Sequence, residues 1–180
     1  MKLRSDIKYT SVQNIDVIVN DIENLIVQKN DFMAFVILSI GIEFLGCFLD
    51  EKDYDDFEQS TIRFKNALTN LFKNNWYKNN SDFIYKAFRG RLIHQYRVGE
   101  GIFLTSKCKN NANLDDHLKV VEGARVFVLE QLFLDFKTAA NRLKNIINKS
   151  NSLNKIKLDQ EYYSISDMID SVNEFNNHLP

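Results

Sequence analysis

Proline is all but missing from this chain. It occurs once, as the last residue, Pro180, so no proline ring interrupts a helix anywhere before it. Glycine is scarce too, with six in 180 residues. Together these shortages leave little room for a turn-dense all-β fold. Two cysteines, Cys47 and Cys108, lie far apart and offer neither a disulfide framework nor a zinc motif. The three histidines, His94, His117 and His178, are scattered, so no metal cluster is expected. The first residues are polar and lack the apolar stretch of a secretion signal, and the expected setting is reducing and cytoplasmic.

What is present is apolar and aromatic. Hydrophobic residues make up 44% of the chain and charged ones 26%, the balance of an ordinary globular protein with one core. Fourteen Phe and seven Tyr predict a core rich in rings. The run from Phe32 to Leu49 is nearly as long as a membrane span, but Glu43 sits inside it. A carboxylate at that depth costs about 2.5–3.5 kcal/mol on insertion scales. The flanks are acidic on both sides (Asp31; Asp50, Glu51, Asp53), without basic anchors. A buried central helix of a bundle, outside any membrane, is the better reading.

Net charge is −1 but unevenly spread. Residues 1–60 hold 5 Lys and Arg against 12 Asp and Glu, and residues 158–180 hold five acids and no base. The middle is therefore strongly basic. That segment suits a phosphate polymer, but pairing with the acidic ends, within one domain or across a dimer, is the better reading for most of these charges, because the chain as a whole is not basic.

Helical periodicity dominates the first half. Ile15, Ile18, Val19, Ile22, Leu25 and Ile26 mark a helix over about 11–28. Asp31 is placed to cap a second, over 32–49. A third is expected from Asp53 to Phe72, with Phe57, Phe64 and Leu68 inward, then an asparagine-rich loop over 74–81. Ser81 or Asp82 is placed to cap a fourth helix that runs to His94. Beyond it, Val98 to Gly101 reads as a turn and Ile102 to Thr105 as a short strand; Lys109 to Asn113 is a polar loop. His117 to Val121, then Ala124 to Val126 after Glu122-Gly123, read as a hairpin. A long helix returns over about 127–148, followed by a polar connection and a short helix over about 164–178. The expected fold is mainly α: one domain with its core at about 10–150, a helical bundle of about five to six helices, and a small β-hairpin insertion between the fourth and fifth.

The stretch Phe-Arg-Gly-Arg-Leu-Ile-His-Gln-Tyr-Arg at 88–97 carries the most chemistry. Arg89 and Arg91 set fixed cations near the titratable imidazole of His94. Cleavage of an RNA phosphodiester needs this pair of groups: an imidazole to take the ribose 2′-hydroxyl proton, and a guanidinium to hold charge growing on the phosphate. Five residues of α-helix turn about 500°, which leaves Arg89 and His94 about 140° apart unless the helix ends there or two subunits meet. Arg91 and His94, three apart, share a face. The structural alternative is internal pairing. Glu43, in the apolar second helix, needs a partner, and Arg89 or His94 is the natural one, tying helix two to helix four. Elsewhere Cys47 reads as core packing, and Trp76 as a cover for the third helix or a base-stacking ring.

An Arg, four intervening residues and a His at the end of one helix of an α-bundle resembles the HEPN superfamily. Here that is Arg89-Gly-Arg-Leu-Ile-His94. The resemblance spans about residues 10–150. It implies a metal-independent endoribonuclease of toxin or defence type, with no cofactor, acting as a homodimer that joins two motifs in one cleft. His94 would then be the general base, Arg89 the phosphate-stabilising cation, Arg91 an auxiliary, and Glu43 an orienting or structural partner. RNA would be the substrate, with an antitoxin or another protein as a further partner. Other members of the family lack catalysis and serve as RNA- or nucleotide-binding or protein-interaction modules. The family often has a polar residue directly after the Arg; this chain has Gly90.

Overall fold

A computed structural model of the chain describes residues 11–149, except 53–55, 57 and 111. The expected C-terminal helix and the connection before it lie outside these residues, as does Phe57.

Helix α1 (Ser11–Val27) follows its apolar stripe: Ile15, Val19 and Ile22 are buried, with Asn14 beside Ile15. Helix α2 (Asp31–Cys47) has no such stripe. Ala34, Phe35, Leu38, Ile42 and Leu45 are all buried, and only Ile40 opens a substantial apolar side to solvent. A helix apolar on nearly every side has to be surrounded, and α2 is. It packs against α1, against α3 (Ser60–Asn70), against α8 (Leu129–Lys149), and against the rod at 81–95. That rod is α5 (Ser81–Ile84), continued by a π-helical stretch, Tyr85–Gly90, into α6 (Arg91–Gln95). Among the described residues no helix is long and apolar enough to cross a membrane.

Strand β1 (Ile102–Thr105) leaves the rod through a turn, and a one-turn helix α7 (Lys107–Asn110) follows it. A hairpin of β2 (Val120–Val121) and β3 (Ala124–Val128) comes next. The sheet order is β1-β3-β2, with β1 parallel to β3 and β2 antiparallel. Glu122 and Gly123 both have positive φ (50° and 80°), as a tight two-residue hairpin turn requires. The mainly helical bundle with a small β insertion is therefore observed. The insertion is a three-stranded sheet, because the strand at 102–105 joins the hairpin.

Several local expectations need correction. The third helix begins at Ser60, not Asp53, since Glu58 has φ 64°, which no α-helix accommodates. The loop at 74–81 contains a short helix, α4 (Asn75–Asn79): the Asn74 side chain accepts the Trp76 N–H at 2.9 Å and caps it. Asp31 is not a cap. It lies in the first turn of α2, and its carboxylate is taken by Ser106. Ser81 and Asp82 likewise lie inside α5, and Asp82 bonds Lys65 at 2.7 Å. The last described helix starts at Leu129; Phe127 belongs to β3.

Helices α2 and α3 meet closely at Gly46. A Cβ there would lie 1.7 Å from the carbonyl oxygen of Arg63, so α3 crosses α2 backbone against side-chain-free backbone. At Gly41 a Cβ would meet only side chains, the Phe136 ring edge at 2.8 Å and Ile18 Cγ2 at 3.2 Å, and these can shift. Gly46→Ala should therefore destabilise the fold by about 3 kcal/mol, and Gly41→Ala by about 1 kcal/mol, in urea titrations.

Candidate functional site

The rod at 81–95 antiparallel to α2 carries the motif. Its buried stripe is Ser81, Ile84, Ala87, Phe88 and Leu92. The π-helical stretch holds Arg89 and Gly90 and fits one surplus residue into a turn; such turns are frequent at functional sites. The rod ends one residue after His94. Tyr96 closes it in the left-handed conformation, φ 57°, with its N–H on the Leu92 carbonyl at 3.2 Å. Glycine usually takes that position, and a tyrosine there stores strain of order 1–3 kcal/mol. Packing holds it: the Tyr96 ring lies 4.8 Å from Phe32, and its hydroxyl donates to Met33 Sδ at 3.3 Å.

Arg89 turns toward α2. Its Nε and Nη2 lie 2.8 and 2.7 Å from Glu43 Oε2, with the side chains 15% and 20% exposed. Ser60 donates to the same oxygen at 2.9 Å, and the Tyr85 hydroxyl lies 3.2 Å from Ser60 Oγ. The guanidinium also stands over the Tyr85 ring, 5.7 Å from its centroid. Glu43 thus has Arg89 as its partner, not His94. Three elements, α2, α3 and the π-helical stretch, meet in this polar knot.

His94 and Arg91 lie on the other side of the matter. Both are exposed. Arg91 Nη1 donates to Gln95 Oε1 at 2.6 Å, and Arg97 Nε to the same oxygen at 3.2 Å. His94 makes no hydrogen bond among the described residues. One imidazole and two guanidinium groups, those of His94, Arg91 and Arg97, are thus exposed near the end of the rod, while the third guanidinium, of Arg89, is held by a carboxylate.

Two clusters escaped the sequence reading, because Tyr77 lies 40 and 58 positions from His117 and Asp135, and Asp31 lies 75 from Ser106. One is buried. His117 Nδ1 accepts the Val128 N–H at 3.0 Å, so the ring proton belongs on Nε2, which faces the Tyr77 hydroxyl at 2.6 Å. That hydroxyl donates to Asp135 Oδ2 at 2.6 Å. Burial lowers His117 to about 4 and raises both Tyr77 and Asp135 above their ordinary values. The chain ties α4, the hairpin and α8 together. The second cluster, Asp31 with Ser106 and Lys109, lines a cleft at the start of α2.

Trp76 is not an open stacking ring. Arg125 covers one side at 4.9 Å and Phe127 packs edge-on at 6.0 Å. Cys47 is buried and Cys108 exposed. Among the described residues no group of three or more His, Cys, Asp or Glu is placed to hold a metal ion.

Glu43→Ala leaves Arg89 half-buried without its carboxylate. It should lower stability by about 1–3 kcal/mol, and the double change Glu43→Leu/Arg89→Met should recover most of that in the same denaturant assay. His117 gives a pH signature. Unfolded it titrates at 6.5 and folded at about 4, so between those values the unfolded chain binds more protons. Its contribution is whole above pH 6.5 and is lost as pH falls through 4, on the order of 3 kcal/mol. Asp135, raised by burial, acts in the opposite sense from 3.8 upward and reduces the net slope. Melting curves from pH 7.5 to 4 should thus show an acid-side loss in the wild type that His117→Leu removes.

Comparison with protein-family models, with curated proteins and with solved structures finds no match to this chain.

Proposed function

We propose that this chain is a HEPN-like helical domain that cleaves RNA at the C-terminal end of α6, two copies joining their motifs in one cleft. The observation that carries the reading is His94. It stands exposed one residue before the helix ends, its sequence neighbours Arg91 and Arg97 are exposed too, and Arg89, earlier on the same rod, is held by Glu43.

In the proposed reaction His94 Nε2 or Nδ1 takes the proton of a ribose 2′-hydroxyl. The 2′-oxygen attacks the adjacent phosphorus, and the 5′-oxygen leaves with a proton from the imidazolium of the second copy. The products are a 2′,3′-cyclic phosphate and a 5′-hydroxyl. Arg89 holds charge on the phosphate, with Arg91 as auxiliary. Its pairing with Glu43 fixes the guanidinium's direction but offsets part of its charge. The polar residue that the family often carries after the Arg is absent at Gly90, so Arg91 is the nearest side chain able to add a contact. A toxin or defence role, with an antitoxin or another protein as partner, follows from the same resemblance.

The neutralising contact between Arg89 and Glu43 favours a second reading, a non-catalytic RNA-binding or protein-interaction module of the same fold, with that ion pair as internal glue.

Incubation of the full chain with total RNA in a chelator separates the two. The first reading expects cyclic-phosphate ends, and a loss of about 100-fold or more in cleavage rate with His94→Ala, at unchanged melting temperature because the ring is exposed. Cleavage that survives this substitution ends the assignment of His94. RNA retention without cleavage by the wild type selects the second reading.

A further inference from the structure

Where α2 begins, a cleft of about 170 Å³ opens beside the candidate site. Phe32, Phe35 and Leu104 form its apolar walls; Asp31, Ser106 and Lys109 supply its polar end. Phe32 is shared: one part of it lines the cleft, and its ring packs on Tyr96, two residues after His94. The polar end is built rather than incidental. The Asp31 side chain is only 9% exposed. Its Oδ2 accepts the Ser106 hydroxyl, itself buried, and lies 3.9 Å from Lys109 Nζ. Its Oδ1 has no hydrogen-bond partner among the described residues. Asp31 is one of the residues that line the open cleft.

A carboxylate nine-tenths removed from water, with one oxygen unused and aromatic walls beside it, asks for a flat ligand that donates hydrogen bonds along one edge. We infer that this cleft is a nucleobase subsite and that it prefers guanine. The inference deepens the RNA reading above and rests on it for its purpose. Guanine presents two adjacent donors, N1–H and N2–H, which match Oδ1 and the second lone pair of Oδ2, the first being taken by Ser106. Adenine and cytosine offer an amino donor beside an acceptor, and uracil a single N–H between two carbonyls that a carboxylate repels. Lys109, with a side chain 59% exposed, reaches over the mouth and suits the guanine O6 or an adjoining phosphate. The volume lies below the roughly 300–1,000 Å³ of pockets that enclose drug-sized ligands, so the base enters and the sugar-phosphate stays outside, on the side of Tyr96 and His94. Single-stranded RNA is read in this manner, with unstacked bases set against aromatic rings and hydrogen-bonded along an edge.

The test titrates the four nucleoside 3′-monophosphates into the full chain and follows backbone amides by NMR. Guanosine monophosphate should bind about tenfold or more tighter than uridine monophosphate, the discrimination expected of one bidentate contact. Its shifts should centre on Asp31, Phe32 and residues 104–109, and Asp31→Asn should level the four affinities. Equal affinities in the wild type, or shifts that avoid this cleft, overturn the subsite. If Asp31→Asn fails to fold, the wild-type shift map and affinity order decide alone. A labelled pentauridylate, with and without one central guanosine, then separates the subsite from the RNA reading. Guanosine monophosphate bound as expected, with neither oligonucleotide bound or cut, leaves the subsite and removes the RNA reading. Both oligonucleotides bound equally, with no preference among the monophosphates, does the reverse.

Discussion

The fold turns on a helix that cannot face water and must still hold a carboxylate. α2 buries apolar side chains around most of its circumference, so its neighbours have to enclose it. Residue choice along α2 sets how each neighbour arrives. Gly46 lets the α3 backbone touch it, Gly41 accepts the Phe136 ring of α8, and Glu43 demands a cation from the rod at 81–95. Hydrophobic area alone does not fix a helix in rotation about its axis. A half-buried ion pair with an extra hydroxyl does, because any other rotation strands a charge.

That arrangement divides the labour of the candidate site. The cation nearest the core is oriented by Glu43, Ser60 and Tyr85 and has little freedom. The imidazole and the outer guanidinium groups lie on the surface, tethered only to Gln95 or to nothing. One guanidinium is fixed by its partners, while the imidazole stands exposed without a hydrogen bond among the described residues. The backbone strain at Tyr96 belongs to the same design, since the residue in the left-handed conformation also supplies the ring that meets Phe32.

Sequence periodicity made the long elements legible, because burial writes itself every three or four positions. α1, α2 and α8 were readable from Ile15, Val19 and Ile22, from the unbroken run after Asp31, and from Leu129, Leu132 and Phe136. The hairpin was readable from Glu122-Gly123 between apolar pairs. The need of Glu43 for a partner on the fourth helix was legible from its setting alone. What stayed hidden depended on neighbours remote in the chain or on single backbone angles. The left-handed Glu58 that delays α3, the capping role of Asn74, and the parallel pairing of β1 with β3 leave no periodic trace. Tyr77, His117 and Asp135 look like unrelated polar residues until packing sets them in line. Asp31 was visible as a helix-start residue. Only the approach of Ser106 from 75 positions away turns it into the floor of a cleft.

One more consequence follows from the wide turn at Tyr85–Gly90. Each residue of an α-helix advances the spiral by about 100°, so a surplus residue absorbed in one broadened loop of backbone sets back everything after it by a similar angle. The compass bearing of Arg91 and His94 is thus a matter of phase, decided upstream by which carbonyl each amide chooses. The same side chains on an unbroken spiral would look out over a different part of the molecule.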